Sequence, residues 1–429
     1  MKNNLKYRLS ALLFLASALT ITSCSDWTDV ESLQLNTPTF EEQNPQLYAD
    51  YLKDLNRYKS EEHKVTFVSF ENPKGSPGKQ AERLTVVPDS VDFICLNNPE
   101  VSPEVQAEMV KIREKGTRTV YSIDYSSIEN AWKEKVKAEP ELTEEDALQY
   151  IGERTNEMLA LCDKYNFDGV IADYTGRSLV SLPEAALKEY NDRQQKFFGE
   201  VMNWQGNHDD KTLVFYGNVQ YLVPENMDML SKFDYIMLKT ASSTNADDLA
   251  LKAYLAIQAG IDAVGGTEGG VNPVPADRFI VCVELPQADD KDKVKGYWST
   301  VDEKGNKLVA APGAARWMVE ASPNYTRKGI FIMNVHNDNY SLYLQQKFKT
   351  YLNMSAKKGK WTERFNQKND FDFTVSRVIV TRVAYSRVTK LIPVSQFSLF
   401  GITVSEAQKI ARSFNTLADH VCMITLIEE

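Results

Sequence analysis

Carboxylates follow several of the apolar runs in this sequence, and a carboxylate can act as an acid, a base or a hydrogen-bond acceptor. Glu71, Asp124, Asp173 and Glu284 each stand at the end of a run rich in β-branched and aromatic residues. If such runs are the parallel strands of a barrel, their carboxyl ends meet at one face, where barrels carry their active sites. Two of these groups could then work as acid and base. Each is equally consistent with a solvated loop residue or a hydrogen-bond acceptor.

The elements that must position these groups alternate between strands and helices. Segments 102–115 and 143–165 carry apolar residues at helical spacing. Strand-like runs separated by such segments are typical of parallel βαβ units. The order favours an α/β protein with a (β/α)8 TIM barrel over a doubly wound sheet, although periodicity alone does not decide between them. The eight strand candidates are 64–70, 91–96, 118–123, 170–172, 212–216, 235–238, 279–285 and 329–335.

The N-terminus has the pattern of a secretory signal. Lys2, Lys6 and Arg8 precede the apolar stretch 11–21, which is too short for a membrane span. The stretch ends in Ile-Thr-Ser-Cys, which resembles a bacterial lipobox and implies that Cys24 is lipidated. We therefore expect residues 1–23 to be a lipoprotein signal peptide and the mature chain to be an outer-membrane lipoprotein exposed at the cell surface. An ordinary signal peptide followed by an unmodified thiol is the alternative.

The net charge and the cysteines bear on nucleic-acid binding and on metal binding. The formal net charge is −10, and it becomes −13 once the three cations of the signal are removed. Without a basic block, nucleic acid is excluded as a partner. Cys95, Cys162 and Cys282 lie in or beside apolar stretches and are expected to be small buried hydrophobic residues. No CxxC pair or His/Cys cluster predicts a metal site, and we expect no cofactor.

One segment resembles a known signature. Residues 167–175 read Phe-Asp-Gly-Val-Ile-Ala-Asp-Tyr-Thr, which resembles the fourth-strand motif Asp-Gly-x-Asp-x-Asp-x-Glu of family 18 chitinases and endo-β-N-acetylglucosaminidases. Residues 88–93 and 233–236 look like the second and sixth strands of the same family. The resemblance covers about residues 60–350 and implies a TIM barrel over residues 61–355.

The departures from that motif carry the functional argument. In the family, the final Glu protonates the glycosidic oxygen, and the last Asp orients the substrate's own N-acetyl group for attack. Asp168 and Asp173 match the motif, whereas Ile171 replaces an Asp and Thr175 replaces the acid. A threonine is not acidic near neutrality, so a general-acid contribution of about 10²–10⁴-fold would be lost. We therefore expect no catalytic residues, only a vestigial motif made of Asp168, Asp173 and Thr175.

The end of the predicted sixth strand also differs from active members of the family. Active members of the family end this strand in Gln-x-Tyr, and the corresponding residues here are Lys239-Thr240-Ala241. The tyrosine hydroxyl that would help to hold the N-acetyl group is missing. An active enzyme with a displaced acid, taken from the other strand-end carboxylates, is the alternative.

The aromatic and polar residues at the predicted strand ends are suited to binding sugars. Aromatic faces pack on the C–H surfaces of sugars, and planar polar groups hydrogen-bond their hydroxyls. Any single aromatic residue here could equally belong to the core. We expect Trp204 and Trp298 to be sugar platforms, because they stand in polar contexts. The predicted glycan-binding residues are Asp173, Tyr174, Tyr216, Asn218, Lys239, Asn334 and His336.

Taken together, these features predict a non-catalytic, surface glycan-binding lipoprotein. Its ligand would be an N-acetylglucosamine-containing oligosaccharide of the N-glycan or chitin kind. Its further partners would be the membrane, through Cys24, and an outer-membrane glycan transporter complex. An active endo-β-N-acetylglucosaminidase is the first alternative, and a structural surface protein with an empty cleft is the second.

The chain outside the barrel has less distinct patterns. Residues 24–60 are expected to tether and cap the barrel. After a basic linker at 357–360, strand-like stretches at 372–383 and 387–393, a helical stretch at 405–420 and a strand at 421–427 predict a small α/β appendage over residues 356–429. No role follows for this appendage from its sequence.

Overall fold

A computed structural model describes residues 40–79, 82–180, 182–266, 270–287 and 290–340, together with 378–383 and 421–426. The chain divides into two units, residues 1–45 and 46–429. Of the first unit, residues 40–45 are described, and they include the short helix α1, Phe40–Gln43. The predicted signal peptide and the predicted lipidation site at Cys24 lie outside the described residues.

The centre of the second unit is a closed barrel of eight parallel strands. The barrel strands are β1 (Val65–Phe70), β2 (Phe93–Leu96), β3 (Arg118–Asp124), β4 (Gly169–Tyr174), β5 (Thr212–Gly217), β6 (Tyr235–Leu238), β7 (Phe279–Glu284) and β10 (Arg327–Met333). Around the barrel their order is β1, β10, β7, β6, β5, β4, β3 and β2. Each strand overlaps one of the eight predicted runs, with ends that differ by up to two residues, and the predicted (β/α)8 TIM barrel is confirmed.

Helices surround the barrel, and their ends follow local capping rules. Helix α3 starts after the Ser102 cap, whose hydroxyl accepts from the Val105 N–H, and the chain turns at Gly116 with φ +71°. Helix α5 begins with a capping box between Thr143 and Asp146. The longer helices are α2 (Pro45–Ser60), α3 (Pro103–Glu114), α4 (Tyr125–Ala138), α5 (Glu144–Lys164), α6 (Glu184–Gln205), α7 (Ala246–Ala263) and α8 (Ala310–Val319).

Several short elements complete the described chain. Strands β8 (Tyr297–Val301) and β9 (Lys307–Val309) form an antiparallel hairpin between β7 and α8. Turns of 3-10 helix span Leu84–Val86, Val219–Tyr221, Pro224–Lys232 and Val335–Tyr340. Of the predicted appendage, β11 (Val378–Val383) and β12 (Val421–Leu426) are described and pair antiparallel. The rest of the appendage lies outside the described residues.

Alternating side chains divide the core into two layers. Residues such as Phe67, Ile171 and Val214 point into the barrel and pack in its interior. Their neighbours Val68, Val170 and Leu213 point outwards and pack against the helices. This period of two follows from the pleat of a strand. It decides which strand residues can reach the site at the barrel's end.

Three cysteines of the barrel unit lie within this core. Cys95, Cys162 and Cys282 are free thiols and fully or almost fully buried, as expected for small hydrophobic residues. Burial raises the pKa of the Cys95 and Cys162 thiols to about 12. Within the described part of the chain, no helix has the length and hydropathy that a membrane crossing requires.

Candidate functional site

The strand ends form one face of the barrel, here called the mouth. In a closed parallel barrel all strands end at the same face, so their last side chains converge there. Strand pairing places Asp173 of β4 beside Asp124 of β3 and Tyr216 of β5. On the other side, Glu284 of β7 lies beside Met333 of β10. These two groups are the two sides of the mouth.

The first side contains an ion pair. The Lys239 ammonium lies 2.6 Å from Asp173 Oδ1 and 3.7 Å from the centre of the Tyr216 ring. The side chains of Asp173 and Lys239 are 14% and 21% exposed. The Tyr216 hydroxyl contacts Met333 Sδ at 3.7 Å across the barrel. Asp173, Tyr216 and Lys239 were all predicted site residues, and the structure brings them together.

Burial changes the acidity of Asp173. Desolvation raises its pKa to about 6, the neighbouring Lys239 ammonium opposes that rise, and Asp124 adds to it. Asp124 itself caps helix α4: its carboxylate accepts from the Ser126 N–H at 2.9 Å and the Ser127 hydroxyl at 2.6 Å. Asp124 is therefore held by its own helix, and the carboxylate of Asp173 is held by a lysine.

The second side contains a carboxylate–amide pair. Asn334 follows the last residue of β10, and its side-chain N–H donates to Glu284 Oε1 at 2.8 Å. The backbone of Asn334 has φ +59°, a left-handed conformation that asparagine tolerates better than most residues. The Asn334 N–H donates to the Ser69 hydroxyl oxygen at 2.8 Å. The left-handed turn interrupts the strand and lets the Asn334 side chain reach the end of β7.

Two more predicted residues lie at the rim of the mouth. His336 Nε2 lies 3.0 Å from Glu71 Oε2, and the Glu71 side chain is 68% exposed. Partial burial lowers the pKa of His336, although Glu71 opposes this. The side chain of Asn218 donates to the Thr175 carbonyl at 2.9 Å. Asn218 therefore holds the loop after β4, and its amide is partly committed to that role.

The segment that resembles the family motif extends over both ends of β4. Asp168 lies at the end opposite the mouth, where its carboxylate accepts from Arg113 and from the Thr119 N–H and hydroxyl. Ile171 is buried in the barrel interior, and Asp173 and then Thr175 follow towards the mouth. Of the motif residues, Asp168 therefore stabilises the barrel and does not take part in the site.

The structure corrects three predicted sugar contacts. Tyr174 is fully buried on the outer face of β4, where its ring packs 4.8 Å from Tyr125 and 5.2 Å from Phe198. Trp204 is 8% exposed and stacks on His208. Trp298 is 7% exposed and packs so closely on Gly313 that a Cβ there would lie 2.1 Å from its ring. These aromatic side chains are core residues because strand parity and helix packing turn them away from solvent.

Two residues of the mouth escaped prediction. Ser69 anchors Asn334, and Met333 contacts Tyr216 from across the barrel. Ser69 lies in an apolar strand run at the same parity as the inward-facing Phe67, and that parity is the signal that could have identified it. Among the described residues, no group of three or more His, Cys, Asp or Glu side chains could hold a metal ion.

The family model described as glycoside hydrolase family 18, BT1044-like, matches residues 28–353. A solved selenomethionine Glu-to-Gln variant of BT1044 is 16% identical over 73% of this chain and 96% of that chain, with a TM-score of 0.48. An endo-β-N-acetylglucosaminidase from Cordyceps militaris is 12% identical over 68% of this chain and 87% of its own, with a TM-score of 0.46.

A family 18 chitinase from Pseudoalteromonas aurantia is 11% identical over 66% of this chain and 99% of its own, with a TM-score of 0.39. None of the curated proteins matches the chain.

Proposed function

We propose that this chain, which belongs to the BT1044-like group of glycoside hydrolase family 18, binds glycans without cleaving them. Its ligands would be N-acetylglucosamine-containing oligosaccharides of the N-glycan or chitin kind. The ligand class comes from the family, because a barrel by itself does not define a substrate. The absence of cleavage is inferred from the residues at the mouth.

The pairing of Asp173 with Lys239 is the observation that carries the proposal. An Asp that is to polarise a substrate amide needs a carboxylate oxygen turned to the substrate. Here one oxygen already contacts an ammonium group at 2.6 Å. Two residues further on, Thr175 provides a hydroxyl in place of an acid. A site with a neutralised carboxylate and no general acid can still hydrogen-bond a sugar.

The mouth offers suitable binding groups. Lys239 provides a cation on the first side, where it lies over the largely buried Tyr216 ring, and Asn334 and His336 provide polar groups on the second. Sugar sites combine a small number of placed polar groups with aromatic surface in a largely preformed cleft. The binding residues that we retain are Asp173, Tyr216, Asn218, Lys239, Asn334 and His336.

An active enzyme is the second candidate, and one observation favours it. A carboxyl group with a pKa near 6 is partly protonated near neutrality, so Asp173 itself could act as a displaced acid. In this case Lys239 would have to release the carboxylate when the substrate binds. The two candidates differ in whether any glycosidic bond is broken.

The location of the protein is part of the proposal. The lipobox-like sequence before Cys24 supports a lipid anchor, with the glycan site exposed at the surface of the outer membrane. There the protein would capture glycans and pass them to an outer-membrane transporter complex. Labelling with a radioactive fatty acid tests the anchor: incorporation should be lost in Cys24→Ala.

The test of the function uses the purified mature chain with high-mannose and complex N-glycoproteins and with chitotetraose. Calorimetry measures binding, and mass spectrometry measures any released product. We expect binding with no product from the wild-type chain. Hydrolysis that persists through repurification and disappears in Asp173→Asn would overturn the proposal and establish the second candidate. Asp163→Asn, at an exposed helix position, is the matched control.

A further inference from the structure

The second side of the mouth is a rigid frame. The Leu285 N–H donates to the Met333 carbonyl at 3.0 Å, and the Asn337 side chain donates to the Leu285 carbonyl at 3.1 Å. The Asn334 backbone is held from the other direction by Ser69. The ends of β7 and β10 are therefore joined on either side of Glu284 and Asn334. A frame that is already ordered loses little conformational entropy when a ligand binds.

The two sides also differ in charge. Asp173 has a cation against its carboxylate, and the pair is close to neutral. Glu284 accepts from the neutral Asn334 amide, and no lysine, arginine or histidine of the described chain forms an ion pair with it. An ionised carboxylate without a cation is the stronger acceptor for hydroxyl donors. The spare hydrogen-bonding capacity of the mouth thus lies on the second side.

The chemistry of the pair defines what it can recognise. After accepting the Asn334 N–H, Glu284 retains acceptor positions on both oxygens. Asn334 retains its carbonyl oxygen and a second N–H. Donors and acceptors therefore stand side by side at one point. Two neighbouring hydroxyl groups of a sugar ring present the complementary arrangement, since each hydroxyl both donates and accepts.

We propose that Glu284 and Asn334 form a sugar-binding element for two adjacent free hydroxyl groups of an uncharged hexopyranose. Glu284 accepts from the sugar, and Asn334 positions the Glu284 carboxylate. The proposal rests on the proposed glycan-binding function and deepens it. Inside a chitin chain, the ring carbons next to the free 3-hydroxyl carry an acetamido group and a glycosidic bond. A chitin chain offers such a pair only on its non-reducing terminal ring, at positions 3 and 4, whereas every terminal mannose of a high-mannose N-glycan carries adjacent free hydroxyls, so the element favours the N-glycan.

The first experiment compares two probes on the mature wild-type chain by calorimetry. A high-mannose glycopeptide should bind at least about ten-fold more tightly than chitotetraose methylated at its non-reducing terminal 4-hydroxyl, which has no two adjacent free hydroxyls. This difference corresponds to about 1.4 kcal/mol. In Glu284→Gln, which removes the charge and keeps the shape, the affinity for the glycopeptide should fall by about ten-fold. Equal affinity for both probes, or an unchanged affinity in Glu284→Gln, would overturn the proposal.

The second experiment isolates the role of Asn334. Asn334→Gly removes the side-chain amide. It keeps the backbone N–H that donates to Ser69, and glycine adopts the left-handed conformation readily. Asn166→Gly is the matched control, because Asn166 also has a positive φ, of 54°, but lies before β4 at the far end of the barrel. Both variants should unfold like wild type. Binding should weaken about ten-fold in Asn334→Gly only, and equal weakening in both variants would contradict the assignment.

The third experiment uses pH to test whether Asn334 positions the Glu284 carboxylate or only fills space beside it. Asn334→Asp has nearly the same shape but places a second carboxylate against Glu284, so at neutral pH the two repel each other. At low pH the pair can share one proton, and the protonated Asp can donate as the amide did. Binding by Asn334→Asp should therefore recover, relative to wild type, as the pH falls from 7 towards 5. A flat ratio over this range would contradict the positioning role.

The outcomes separate this proposal from the function on which it rests. If wild type binds the glycopeptide and Asn334→Gly binds it equally well, the element fails and the glycan-binding function stands. If wild type hydrolyses the glycopeptide, the non-catalytic function fails, and the element is judged by a rise in KM in Asn334→Gly. If wild type binds neither probe, both proposals are overturned.

Discussion

The two ends of β4 carry the two halves of one sequence motif, and the two halves differ in their contacts and in how well they match the motif. At the start of the strand, Asp168 keeps the motif residue and makes four hydrogen bonds to Arg113 and Thr119. At the mouth, Asp173 is paired with Lys239, and Thr175 stands at the position of the final Glu in the motif that this segment resembles. The residue that supports the barrel matches the motif, and of the two motif positions at the mouth only Asp173 does.

The physical difference between the two ends explains this pattern. Gly169 lies so close to β5 that a Cβ would approach the Thr212 carbonyl to 2.1 Å, so the start of β4 tolerates little change. The mouth is open to loops and solvent, where substitutions cost less stability. A motif match at the start of a barrel strand therefore reports on the fold. Only residues at the strand end report on the activity.

The largest effect that we predict lies at the start of β4. Asp168→Ala leaves the Thr119 N–H and the Arg113 guanidinium without their shared acceptor, and it should lower the free energy of unfolding by about 3 kcal/mol. Denaturant unfolding measures this. Asp163→Ala, which removes a surface pair with His208, should cost less than about 1 kcal/mol. If both variants lost the same stability, the start of β4 would not have the structural role that we assign to it.

A smaller and pH-dependent effect is expected at the mouth. Lys239→Met leaves Asp173 buried without its cation, and at pH 7.5 it should lower the free energy of unfolding by about 2 kcal/mol. This value is below that for a fully buried pair, because the side chains of both residues are partly exposed. Lys133→Met, in a surface pair with Glu129, should cost less than about 1 kcal/mol and show little pH dependence.

The sign of the pH dependence follows from the raised pKa of Asp173. The folded protein binds the proton with a pKa of about 6, whereas an unfolded Asp has a pKa of about 3.9. Between these values the folded state binds more protons, so stability falls as the pH rises through this window. Without Lys239 the folded pKa rises further, and the deficit of Lys239→Met should shrink as the pH falls from 7.5 to 5. A deficit independent of pH would refute the ion pair.

Much of the fold could be predicted because its signals are local. Each barrel strand is a short run of β-branched and aromatic residues, and caps such as Ser102 and Thr143 stand just before their helices. Eight such runs interrupted by helical segments are consistent with few other topologies. The β8–β9 hairpin and the absence of a long helix between β1 and β2 among the described residues have no comparably periodic signal.

The site could be predicted only in part, because its contacts join distant segments. Asp173 and Lys239 stand 66 positions apart, and their contact depends on the stagger of β4 against β6. Asn334 reaches Glu284 through a left-handed turn that the residue type permits but does not require. Tyr174 was placed in the site from its position at a strand end, although the period of two that points Asp173 inwards turns Tyr174 outwards.

The smallest predicted effect tests whether Tyr174, on the outer face of β4, lies outside the glycan site. Tyr174→Phe removes a hydroxyl from the layer between barrel and helices, so glycan affinity should not change and stability should change by less than about 1 kcal/mol. Tyr216→Phe removes the hydroxyl that contacts Met333 across the mouth, and it should weaken binding about five-fold. Calorimetry with one glycopeptide measures both variants. If Tyr174→Phe weakened binding as much as Tyr216→Phe, the outer face of β4 would have to contribute to the site.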